Sequence, residues 1–197
     1  MSKKIAITGG IGSGKSTVSS ILRDKGYPVY SCDQVYADLI HEEQYINELK
    51  KTFPTVVKKG EIDKKRLAEM VFTNEENRIK LNKIAHPLIM KTLFEHMNER
   101  ESEIVFAEVP LLLEGHFENL FDKTIVVFRN REDRIQAICA RDGISTEKAI
   151  ERINAQFDYD HIQSKNYLQK IGAIFIENEG DFFKLENDVN VALKHLP

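Results

Sequence analysis

The chain carries Gly9-Gly10-Ile11-Gly12-Ser13-Gly14-Lys15-Ser16, which fits G-x-x-x-x-G-K-[ST] at every specified position. Phosphate chemistry explains these residue types. Glycines let backbone N–H groups turn inward around phosphate oxygens, and a helix N-terminus behind them adds partial positive charge. Lys15 then reaches the β and γ phosphates, and the Ser16 hydroxyl suits Mg²⁺, which keeps most of its waters and takes few protein ligands. Gly12, Ser13, Gly14, Lys15, Ser16 and Thr17 are therefore the expected holders of ATP, with Ser16 as the expected metal ligand. A glycine-rich turn that merely contains a lysine is the bland reading. The full motif between a predicted strand and a predicted helix argues against it.

Nucleotide binding alone does not choose between a kinase, a GTPase switch and a regulatory nucleotide sensor. A GTPase would carry N-K-x-D and D-x-x-G; Asn82-Lys83-Ile84-Ala85 lacks the acid and the second motif is absent. A kinase needs a group that positions the acceptor hydroxyl near the γ-phosphate. Asp33 is placed for this, just past the carboxyl end of the second predicted strand, where ligands gather in open parallel sheets. The competing role is a cap on a helix Gln34 to Ile40. Arg134, Arg141 and Arg152 are candidates for neutralising charge on the transferred group, with Arg141 preferred because it lies at the end of its helix. Lys15, Asp33 and Arg141 make up the expected catalytic set.

These residues need elements to position them. Lys4 to Thr8, Pro28 to Ser31, Glu103 to Val109, Lys123 to Phe128 and Ala173 to Glu177 are short apolar runs that read as buried strands. Helical patterns lie between them, so the fold class is α/β, a parallel five-stranded sheet with helices on both faces. A first helix begins near Lys15, carries Val18, Ile21 and Leu22 on one face and stops at Gly26. The gap of roughly seventy residues between the second and third strands is too long for a simple crossover and predicts a helical insertion. Within it, Thr73-Asn74-Glu75-Glu76 reads as a capping box opening a helix with Ile79, Leu81, Ile84 and Ala85 as apolar positions. His86-Pro87 is expected to break that helix, with a new one carrying Leu88, Ile89, Leu93 and Met97. After the fourth strand, a helix Glu132 to Asp142 ends at Gly143. A second starts near Ser145-Thr146, carrying Ile150, Ile153 and Phe157 with Arg152 among polar neighbours. The pair is placed to fold over an active site.

A formal net charge of −3, from 28 Lys and Arg against 31 Asp and Glu, provides no global field for a nucleic-acid backbone, so no nucleic-acid partner is expected. Lys58, Lys59, Lys64 and Lys65 read as a solvated face, and Arg66 beside them stays a candidate for holding an anion locally. Cys32 and Cys139 form no metal-type or redox-type spacing, which fits a reducing compartment. The apolar start Ile5-Ala6-Ile7 is too short for a secretion signal, and no run of about 18 apolar residues follows, so a cytoplasmic location without a membrane partner is expected. No motif specifies an oligomer.

Taken in order, these residues resemble the dephospho-CoA kinase family over nearly the whole length. The resemblance rests on Ile7 to Val18, on Asp33, and on Gly60, Arg66-Leu67, Val71-Phe72, Leu81 and His86-Pro87-Leu88-Ile89 in the insertion. It continues through Val109-Pro110-Leu111-Leu112-Leu113-Glu114, Arg152-Ile153 with Gln156, and Asn178. The resemblance implies a P-loop NTPase core at 1–33, 101–131 and 171–197, a helical CoA-binding insertion at 34–100 and a small helical lid at 132–170. It implies that ATP phosphorylates the ribose 3′-hydroxyl of dephospho-CoA, the last step of coenzyme A biosynthesis. Carried onto this chain, it makes Asp33 the base, gives Arg66 and His86 to the acceptor site and sets Asn178 near adenine.

The chain departs from the family's pattern in three places. Ser31-Cys32-Asp33 stands where Asp-Ala-Asp is usual, leaving one acid. Glu108, at the end of the third strand, is a candidate to stand in as an acid near Mg²⁺. The stretch from Gln156 to Asn178 is longer than usual, with Gly172-Ala173 in place of Ala-Asp, which leaves Lys165 without an assigned role.

Overall fold

Burial on both faces explains the apolar runs. In the computed structural model, which describes residues 2–196, the first strand β1 (Lys3–Thr8) has Ile5, Ala6 and Ile7 completely buried. The chain then runs α1 (Lys15–Asp24), β2 (Val29–Ser31), α2 (Cys32–Leu39), α3 (Glu43–Thr52), β3 (Val57–Lys58), β4 (Glu61–Ile62), α4 (Lys64–Phe72) and α5 (Glu75–Asn98). It continues with β5 (Ile104–Glu108), β6 (Lys123–Phe128), α6 (Arg131–Asp142), α7 (Thr146–Asn154), α8 (Ile162–Lys170), β7 (Ile174–Glu177) and α9 (Phe182–Lys194).

The main sheet has the order β2-β5-β1-β6-β7, so the strand feeding the glycine loop lies at its centre. β1 pairs in parallel with β5, Ile7 opposite Glu108, and with β6, Thr8 opposite Val126; β6 pairs in parallel with β7. One face buries Ile5, Ile7, Ile125, Val127 and Ile176 against Val18, Ile21 and Leu22 of α1 and Leu185 and Val189 of α9. The other packs Val126 with Leu113, Tyr159 and Leu168 of α8. This is the doubly covered parallel α/β sheet that the strand–helix alternation predicts.

The chain divides into two compact units, one comprising the chain as far as Tyr30 and from Arg100 onward, the other Ser31–Glu99. The second unit has its own core, in which Tyr45, Leu49 and Val56 are completely buried with Leu39, Phe53, Leu67 and Ala85. It also holds a hairpin of β3 and β4 that the sequence reading did not anticipate. Its two-residue turn puts Lys59 at φ 51° and Gly60 at φ 83°, the pair of positive angles such hairpins need.

Several helix boundaries differ from expectation: α6 begins at Arg131 rather than Glu132, and α7 ends at Asn154, so Phe157 lies beyond the helix expected to carry it. α2 begins at Cys32 rather than Gln34, with Ser31 as N-cap, so Asp33 sits inside the first turn instead of capping it. α5 runs unbroken from Glu75 to Asn98 through Pro87, where a break at His86-Pro87 was expected. Proline inside a helix removes one hydrogen bond and crowds the preceding turn, at a cost of about 3 kcal/mol. Ile84, Ala85, Leu88 and Ile89 on either side all pack on the second unit's core, which holds both halves in one helix. That helix is capped by the Asn74 side chain, which accepts the Asn77 N–H at 3.0 Å, one residue later than the box at Thr73 suggested. Ile79, expected on its apolar face, is 48% exposed.

Candidate active site

The glycine loop starts where β1 ends and closes at the head of α1, with Gly14 as N-cap at φ 96°. A Cβ there would lie 2.1 Å from Asn178 Nδ2, so only glycine lets the loop and the segment after β7 approach this closely. Asn178 uses that approach: its Nδ2 donates to Ser13 O at 2.9 Å, while its own N–H donates to Phe128 O at 2.7 Å. Lys15 is 8% exposed, and its Nζ donates to Gly9 O at 2.8 Å and Gly10 O at 3.1 Å. Ser13 Oγ is buried without a hydrogen-bond partner.

On the other side of the loop, Glu108 ends β5 beside β1. Ser16 Oγ donates to Glu108 Oε1 at 3.0 Å and Ser19 Oγ to Oε2 at 2.9 Å. A hydroxyl has one proton and two lone pairs, so Ser16 gives its proton to Glu108 and keeps acceptor capacity. Hydroxyl and carboxylate oxygens are the hard donors Mg²⁺ prefers, and it needs only one or two of them from protein. The pair therefore fits the ion, although among the described residues no cluster of three or more His, Cys, Asp or Glu side chains could hold one.

A third set of residues grips the loop from outside. Ile11 N–H donates to Gln156 Oε1 at 2.7 Å, and Tyr159 OH lies 3.0 Å from Thr8 Oγ1. Arg134, 3% exposed, donates from Nε to Ile11 O at 3.0 Å and pairs through Nη1 with Asp160 at 3.3 Å. Burial pulls the Arg134 pKa down, partly offset by Asp160, and burial pushes the Tyr159 phenol up. Glu114 Oε1 accepts the Phe157 N–H at 2.9 Å, which fastens the segment carrying Gln156 and Tyr159.

Of the three candidate arginines, the structure brings Arg134 to the loop. Arg141 is 61% exposed at its side chain and makes two bonds to Asp142, at 2.7 and 3.0 Å; Arg152 bonds the same carboxylate. Arg141 is the first cause holding the Asp142 carboxyl below its usual range. Lys165 stands 5.5 Å over the Phe128 ring, at the edge of a hollow of about 500 Å³ by the carboxyl ends of β6 and β7. Asp33, Arg66 and His86 belong to the second unit. Asp33 is exposed in the first turn of α2; Arg66 is exposed in α4, its N–H on the Asp63 cap at 3.0 Å; His86 is half-buried in α5, where burial lowers its pKa.

Sequence reasoning missed Ser19, Tyr159 and Asp160. Ser19 had a signal, since a residue three after Ser16 shares its helix face. Tyr159 and Asp160 had none, because they lie in an irregular segment and their partners are far off in sequence, Thr8 on β1 and Arg134 on α6.

A glycine loop at the centre of a parallel sheet, with lysine and serine opening the next helix and an acid ending the adjacent strand, defines a P-loop nucleotide-binding protein. The dephospho-CoA kinase profile matches residues 3–181. A dephospho-CoA kinase of Thermus thermophilus is 35% identical over 192 residues, covering 98% of this chain and 91% of that protein. That of Fusobacterium nucleatum is 34% identical over 184 residues, covering 91% and 93%. A crystal structure of a Thermus thermophilus protein superposes with a TM-score of 0.83 at 34% identity, over 100% of this chain and 98% of that one. The Campylobacter jejuni dephospho-CoA kinase follows at 0.69 and 28%, over 98% and 96%. This chain belongs to the dephospho-CoA kinase family.

Proposed function

We propose that this protein transfers the terminal phosphoryl group of ATP to the ribose 3′-hydroxyl of dephospho-CoA, giving coenzyme A and ADP, with Mg²⁺ as the accompanying ion. The observation that carries this reading is the loop of a family member with its chemical groups in place, Lys15 buried at its centre and Ser16 hydrogen-bonded to Glu108.

Catalysis of phosphoryl transfer is mainly positioning and electrostatics. The loop N–H groups of Gly12 to Thr17 and the Lys15 ammonium hold the phosphates and meet the charge that develops on them. Ser16, with Glu108 behind it, would hold Mg²⁺, which supplies charge neutralisation at the β and γ oxygens when bound. Asp33 orients the acceptor hydroxyl and accepts its proton. Arg141, exposed and paired with the Asp142 carboxylate, is assigned to the transferred group, while Arg134 holds the loop itself. Arg66 and His86 are assigned to the acceptor and Asn178 to the base of ATP. Residues 34–100 serve as the CoA-binding insertion and 132–170 as the lid.

Among the described residues no helix is long and apolar enough to cross a membrane. A cytoplasmic place of work and a small-molecule acceptor without nucleic acid complete the reading. The test is ADP release from Mg-ATP in the presence of dephospho-CoA, AMP, UMP or shikimate. Release with dephospho-CoA alone is expected; release only with AMP, UMP or shikimate would transfer the reading to a kinase of similar build.

A further inference from the structure

Glu108 is a carboxylate with 8% exposure, and a buried carboxylate is tolerated only when its oxygens are hydrogen-bonded. Its two oxygens are taken by two hydroxyls of one helix, Ser16 on Oε1 at 3.0 Å and Ser19 on Oε2 at 2.9 Å. Ser19 is completely buried. A serine inside a helix commonly bonds back to a carbonyl one turn earlier, which ties up its proton locally. Here that proton goes across to the end of a neighbouring strand.

We propose that Ser19 is a positioning residue for the metal side of the site: it fixes the plane of the Glu108 carboxylate so that Oε1 receives the Ser16 proton and the Ser16 lone pairs stay directed to a divalent cation. Two bonds to one carboxylate fix its plane, whereas one bond leaves that plane free to swing about the remaining contact. Losing Ser19 frees that plane, and the Ser16 hydroxyl keeps its acceptor but loses the acceptor's fixed direction. Glu108 accepts the Ser16 proton, so the orientation of that hydroxyl depends on this acid. Groups behind a ligand in this way commonly set metal affinity.

The proposal rests on the metal role given to Ser16, and its test reads metal rather than turnover. Mn²⁺ binding to the protein–ATP complex, followed by the electron paramagnetic resonance of free Mn²⁺, is compared in wild type, Ser19→Ala, Glu108→Gln and the double variant. ATP binding without metal is measured in parallel. Ser19→Ala is expected to weaken Mn²⁺ binding about tenfold while changing metal-free ATP binding less than about twofold. Adding Ser19→Ala to Glu108→Gln is expected to change Mn²⁺ binding no further. Unaltered Mn²⁺ binding in Ser19→Ala, an equal loss of metal-free ATP binding, or full additivity in the double variant would each overturn the proposal and leave Ser19 as packing. A wild-type complex that binds no Mn²⁺ would overturn the metal role of Ser16 together with it.

Discussion

Tyr159 holds its hydroxyl 3.0 Å from Thr8 Oγ1, which joins a residue late in the chain to the last residue of β1. Both side chains are buried, at 2% and 0% exposure, and burial raises the phenol's pKa, so this is a neutral pair of hydroxyls. Tyr159→Phe leaves Thr8 with a buried hydroxyl and one partner fewer, at an expected cost of about 1–3 kcal/mol in urea unfolding. Thr8→Val with Tyr159→Phe should cost less than the two single variants added, because the double variant strands no polar atom.

Arg134 and Gly10 are coupled by space. A Cβ on Gly10 would lie 2.3 Å from Arg134 Nη2, and the guanidinium cannot swing aside without giving up Ile11 O and Asp160. Gly10→Ala should therefore weaken ATP binding about tenfold through a displaced Arg134, a loss near 1.4 kcal/mol. In an Arg134→Met background the same alanine should add little, a non-additivity that titration calorimetry on the four proteins would register.

Asp33 lies exposed in the first turn of α2, where a carboxylate also favours the helix dipole. Asp33→Asn keeps the shape and removes the base. If Asp33 accepts the acceptor's proton, kcat should fall by roughly 10² or more with little change in ATP affinity. A loss under about threefold would leave Asp33 with a helix-start role alone.

His86 gives a signed pH dependence. Burial lowers its pKa from 6.5, so between that value and the lower folded one the unfolded chain binds the extra proton. Stability from this group is thus complete above the ordinary histidine value and is lost as pH falls toward the folded pKa. The thermal midpoint of the wild type should drop more steeply than that of His86→Gln between about pH 7.5 and 5.5. Parallel curves would remove His86 as the source.

The sheet and the loop were legible in the sequence because both are local patterns. Ile5, Ala6 and Ile7 form a run buried on both faces, and the order Gly12 to Ser16 dictates its own backbone. Pro87 misled because the cost of a proline is local while the packing of Ile84, Leu88 and Ile89 that offsets it is not. The β3–β4 hairpin was hidden by its brevity, two residues a side, with Lys59 in a position usually left to glycine or asparagine. Arg141 was preferred over Arg134 for its place at the end of a helix, a pattern that carries no information about burial. In the fold Arg134 is the arginine buried against Ile11, and Arg141 faces Asp142.

The most direct test of the account is the identity of the phosphorylated product. Protein incubated with Mg-ATP and dephospho-CoA should yield ADP and, in equal amount, a compound whose phosphorus spectrum shows a new monoester on the ribose 3′-oxygen, and Lys15→Ala should yield neither. Phosphate appearing on another oxygen, or ADP forming at the same rate without dephospho-CoA, would contradict it.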